Sequence, residues 1–173
     1  MANTKEKIQP GKELPDHFTQ ISFYINLAVC VYFLFWNLIT LVALNNLKLV
    51  EKYKQLSVAE MIEKRGKTLG FQLNEFTISM NQYYVISLIL FVPIALGLYL
   101  LWKKRRAFYP LLIFSTLLQI LFMIMLLGPS FFWNDSTFTD KILWLVLLVN
   151  SSLYRGLLQK EMQSGKISFF NED

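Results

Sequence analysis

FYPLLIFSTLLQILFMIMLLGPSF, residues 108–131, carries no charged side chain over its whole length. A helix rises about 1.5 Å per residue and the hydrocarbon core of a bilayer is about 30 Å thick, so about 20 apolar residues are needed to cross it. This stretch is long enough, and it lacks the charged face that a soluble bundle helix shows every third or fourth residue. The runs 19–45, 82–102 and 141–159 share the pattern. Across all four, the only charged side chains are Lys141 and Arg155. Both lie near an end of the fourth run, where a long cationic side chain can snorkel to the headgroups. Composition agrees, with 54% hydrophobic and 17% charged residues among 173.

The sequence therefore reads as an all-α integral membrane protein with four transmembrane helices in an antiparallel bundle, residues 1–173 forming a single membrane domain. The polar segments are a leader (1–18), a long first connection (46–81), a tight turn (103–107), a second turn (132–140) and a tail (160–173). The first run follows a polar leader and exceeds the apolar length of a signal peptide, so it is expected to stay as a span. Short links make spans two, three and four antiparallel neighbours, with the first span free to close the bundle. Pro93 is expected to kink the second span, Gly97 to admit a close neighbour, and Gly128-Pro129 to end the third helix. Cys30, the single cysteine, reads as a packing residue.

Immediately before the opening stretch stand Lys103, Lys104, Arg105 and Arg106. They occupy a tight connection without a nucleic-acid-binding motif, so no nucleic acid is expected as partner. The far end of the same run meets Asp135 and Asp140 against one lysine, and cytoplasmic loops are enriched in Lys and Arg. The basic turn is thus expected on the cytoplasmic side, together with both termini, where it also attracts anionic lipid headgroups. Trp102, Tyr109 and Trp133 fit aromatic belts at the two interfaces. In the long connection, Ser57 and Glu60 form a capping-box pattern ahead of a short amphipathic helix. Val58, Met61 and Ile62 are expected on one face, and Gly66 as the C-terminal stop.

Candidate functional residues are the uncharged polar ones inside the spans. Asn26, Cys30, Phe33, Asn37, Thr40 and Leu44 share one seam of the first helix, and an asparagine facing lipid is costly, so the seam faces another helix, a partner or water. Ser115, Thr116 and Gln119 on the third span and Asn150, Ser151 and Ser152 on the fourth bring further polar groups to mid-membrane. Arg155 either snorkels or pairs with an acid across an interface. The sequence has no phosphate loop, zinc-ligand spacing or nucleophile elbow, and no carboxylate within a span. No catalytic residue, metal or cofactor is expected. The reading is a non-enzymatic membrane subunit assembling with itself or with other membrane-protein subunits. Its alternative is an oligomeric channel or membrane-permeabilising effector with Asn26, Asn37, Gln119 and Asn150 along the path. Moving the four cations of 103–106 to the 132–140 turn is expected to invert the flanking hairpin. Thiol-labelling of single cysteines from each side of the membrane reads this out, and an unchanged pattern would contradict it.

Overall fold

The computed structural model describes residues 16–47, 57–72 and 74–163. The leader through residue 15, the stretch 48–56, Leu73 and the tail from residue 164 lie outside them, as do the expectations that fall there. All elements among the described residues are helical: α1 (His17–Asn45), α2 (Val58–Thr68), α3 (Glu75–Trp102), α4 (Phe108–Leu127), α5 (Pro129–Asn134) and α6 (Phe138–Gln163). Four of these, α1, α3, α4 and α6, are long and apolar enough to cross a membrane. Only 28–33% of each apolar window is buried within the protein. Phe35, Val92, Phe114 and Leu153 are among the large side chains pointing outward. That much exposed apolar surface suits lipid contact and would be an aggregation hazard in water.

The long helices close a ring, in which α1 touches α3 and α6, and α4 touches the same two, while α2 rests on α3. Along the α1–α6 and α3–α4 contacts the partner's number falls as the other rises. On α1 and α6, Thr19 meets Tyr154, Asn26 meets Ser151 and Phe33 stacks on Trp144. On α3 and α4, Gln119 reaches Ser87 while Leu112 meets Gly97. A Cβ on Gly97 would stand 2.9 Å from the Leu112 side chain, so the glycine is there for close approach. Pro93 lies within α3, which continues through it.

Several helix limits differ from the apolar runs, for identifiable reasons. α3 starts at Glu75 rather than 82, because Phe76 is buried against Phe71 and Phe131 and protein contacts hold its first turns. α4 stops at Leu127 rather than 131, since Gly128 takes φ 86° and Pro129 opens the separate α5. α6 starts at Phe138, where the Thr137 and Asp140 backbone N–H groups each donate to the other's side chain, at 3.0 and 3.1 Å.

In α2, the Glu60 N–H donates to the Ser57 hydroxyl, which supplies the forward half of the expected capping box. Gly66 is not its stop. The helix runs on to Thr68 and ends in a Schellman motif, with Phe71 N–H bonded to Gly66 O, Gly70 N–H to Lys67 O, and Gly70 at φ 91°. Gly66 is instead buried where a Cβ would fall 2.6 Å from that of Phe76. Met61 also departs from expectation. It points outward at 61% exposure, while Ile62 and Leu69 pack on the core.

The basic turn is built by the same motif. Arg105 N–H bonds Leu100 O and Lys104 N–H bonds Leu101 O, with Lys104 at φ 55° where glycine is usual. Its ammonium lies 2.9 Å from the Asp16 carboxylate, which also caps α1 through Thr19 N–H at 2.7 Å. Burial raises the Asp16 pKa, but the bonds from Thr19 and Lys104 outweigh it and hold the carboxyl below its ordinary value. The stabilisation Asp16 contributes is therefore present above the unfolded value near 3.8 and lost as pH falls through the lower folded value.

Gly97→Ala tests the α3–α4 contact. Overpacking costs about 1–3 kcal/mol and helix propensity returns about 1 kcal/mol, so thermal unfolding in detergent should show a lower midpoint. Adding Leu112→Val should recover part of the loss. A stabilised Gly97→Ala variant would contradict the close approach.

Candidate functional site

The polar residues of α1 extend further along one seam than the asparagines alone. Thr19, Ser22, Asn26 and Asn37 are all buried, and each meets a polar group on a neighbouring helix. These contacts form two separate clusters.

The first joins α1 to α6. Asn150 donates both amide hydrogens, to Ser22 O and to Asn26 Oδ1, each at 3.0 Å. The Ser22 hydroxyl donates in return to Asn150 Oδ1 at 3.4 Å. Asn26 donates to the Ser151 hydroxyl at 3.2 Å. One turn nearer the basic end, the Thr19 hydroxyl and the Tyr154 phenol share a 2.8 Å bond. Asn26 and Ser151 are fully enclosed, at 0% exposure. Interhelical bonds of this kind contribute about 0.6 kcal/mol each on average and up to about 1.7.

The second cluster centres on Ser87 of α3, where two helices converge. Asn37 on α1 donates to its hydroxyl at 2.8 Å, and Gln119 on α4 donates to its carbonyl at 3.3 Å. The bond from Gln119 crosses to α3, so Gln119 and Asn150 serve different clusters. Thr116 bonds back to Leu112 O within its own helix, and Ser152 likewise to Leu148 O. Between Asn26 and Asn37, α1 buries Val29, Cys30 and Phe33. At about 1.5 Å per residue the two clusters are roughly 16 Å apart along the helix.

Beyond Asn37 the bundle opens into a chamber of about 210 Å³ lined by Asn37, Thr40, Tyr83, Tyr84, Asp135 and Trp144, among others. Two buried polar atoms without a hydrogen-bond partner among the described residues, Asp135 Oδ2 and Trp144 Nε1, belong to this lining. Ordered water commonly satisfies such atoms in a polar chamber of this size. Trp144 is held between Phe33 and Phe132, with ring planes within 12° and 15° of parallel. Over this end lies α2, whose Arg65 reaches Asp135 Oδ1 through Nε and NH2, each at 2.7 Å. Lys141 bends back to the carbonyl of Trp133 at 2.8 Å.

The cations are distributed among different surroundings. Lys103 lies 5.9 Å from the centre of the Tyr99 ring, and Lys104 pairs with Asp16. Arg106 and Arg155 line one groove between α4 and α6, and the Arg155 guanidinium lies over the Tyr109 ring at 4.2 Å. Arg155 forms no ion pair with a described residue; Asp16, Glu63 and Asp135 pair with other cations.

Sequence reasoning missed Thr19, Ser22, Ser87, Tyr154 and Asp16. For the first two a signal was present, because they continue the spacing of three and four residues that links Asn26, Cys30 and Phe33. Tyr154 had a signal too, since it follows Asn150 and Ser151 at four and three residues, whereas Ser87 has only the phenols of Tyr83 and Tyr84 in phase. No family model, curated protein or solved structure matches the chain. What the helices define is a class, an all-helical multi-pass membrane protein.

Proposed function

We propose that the chain is a non-enzymatic integral membrane subunit that assembles with itself or with a larger membrane complex. In this reading its four spans form an antiparallel bundle, as the reversed order of contacting residues along α1–α6 and α3–α4 supports. Both termini lie on the cytoplasmic side with the basic turn, and α2 is an amphipathic helix on the extracytoplasmic end of the bundle.

The observation that carries the reading is the way α2 is held. Gly66 seats it against Phe76, Arg65 fastens it to Asp135, and its other side presents Met61 at 61% exposure between exposed Glu60 and Lys64. An immobilised helix with an apolar residue on its outer surface needs little further ordering to bind, which favours a protein contact. The asparagine seam spends its hydrogen bonds inside the chain, which leaves this strap as the assembly surface. The channel reading has less support for the same reason. The amides of Asn26, Asn37, Gln119 and Asn150 already have partners, and buried apolar residues separate the two clusters.

A photoreactive amino acid at position 61, activated in native membranes, should give a protein adduct with a second copy or with another membrane protein. Arg65→Gln should weaken that adduct by loosening the strap. The absence of any protein adduct, together with a monomer mass in mild detergent, would overturn the proposal.

A further inference from the structure

The groove between α4 and the last turns of α6 has about 490 Å³ of space and two chemically distinct ends. At the basic end stand Arg106, from the turn before α4, and Arg155, from α6. Deeper in, the wall is Ile113, Phe114 and Leu117. Among the described residues, no acid lines it. From Arg106 to Leu117 the chain advances roughly 16 Å at helical rise, which is about half the hydrocarbon thickness of a bilayer. The groove therefore spans one leaflet, charged at headgroup depth and apolar toward the midplane.

Arg155 is held at the edge of the groove, with its guanidinium carbon 4.2 Å from the centre of the Tyr109 ring. A guanidinium has five N–H donors, more than a contact with one phenol uses, and a phosphodiester accepts such donors, with a second guanidinium from a different element fixing its position. We propose that this groove is a binding site for one anionic glycerophospholipid of the leaflet at the basic turn, with the phosphate between Arg106 and Arg155 and one acyl chain along Ile113, Phe114 and Leu117. The occupant is a lipid rather than a free anion because most of the wall is apolar and faces the bilayer. It is an anionic lipid rather than a zwitterionic one because two cations and, among the described residues, no carboxylate line the groove.

The full chain, purified in mild detergent and mixed with phosphatidylglycerol and phosphatidylcholine of identical acyl chains, tests this by native mass spectrometry. The wild type should hold one phosphatidylglycerol in preference to phosphatidylcholine. Arg106→Gln/Arg155→Gln should reduce that preference about tenfold or more, the factor expected when charge-assisted contacts to one bound lipid are lost. Lys103→Gln/Lys160→Gln removes equal charge outside the groove and should leave it unchanged. Leu117→Trp fills the apolar end and should displace the lipid with both arginines intact, while circular dichroism confirms the helices. Equal retention of the two lipids by the wild type would overturn the proposal. So would equal losses from the two charge pairs, or displacement of the lipid by inorganic phosphate alone.

Discussion

A side-chain amide in hydrocarbon has no water to bond, so its hydrogen-bonding groups must be satisfied by protein. The rest of this structure follows from how that constraint is met along α1. Asn26 and Asn37 are eleven residues apart in sequence and about three helical turns apart in space. One finds its partners on α6, the other on α3, with Gln119 of α4 joining at the same serine. The two clusters thus fix α1 against both of its neighbours and connect α4 through Ser87. Apolar packing in a bilayer discriminates poorly among rotations of a helix, because lipid tails are as apolar as leucine. Directional bonds at two heights remove that freedom.

The basic turn combines two roles in a few residues. In the proposed orientation its charge gives the chain a side of the membrane to face, and its backbone reverses direction within the space between Trp102 and Phe108. Lys104 serves both, accepting a left-handed conformation that glycine would take more easily while pairing with Asp16. Through that pair the turn between α3 and α4 is fastened to the start of α1. At the other end, Arg65 and Asp135 fasten α2 to the connection between α5 and α6. Each end of the bundle is therefore closed by one ion pair between segments distant in sequence.

The long helices were readable because a run of apolar residues without charge has a direct physical meaning in a bilayer. Where the reading failed, tertiary contact had overridden a local signal. Gly66 looked like a helix stop, yet its missing Cβ makes room for Phe76, and the stop falls at Gly70 instead. Met61 was grouped with Ile62 because adjacent positions on a short helix subtend overlapping faces, and only packing against α3 decides which one turns inward. Ser87 gave no sign of its importance, since a lone serine is tolerated almost anywhere in a membrane helix. The candidate site was thus half legible. The asparagines announced that partners were required, and the identity of those partners depended on which helices lie side by side.

The central claim is that the α1 seam closes within one chain rather than between copies or around a pore. Its most direct test places cysteines at both ends of one hydrogen bond, as Asn26→Cys/Ser151→Cys in a Cys30→Ser background, and oxidises the protein reconstituted in bilayers. Closure within a chain predicts a faster-migrating monomer that reverts on reduction and forms at every protein-to-lipid ratio. Disulfide-linked dimers in place of that monomer, diminishing as the protein is diluted in lipid, would show that the seam faces another copy and would contradict the account.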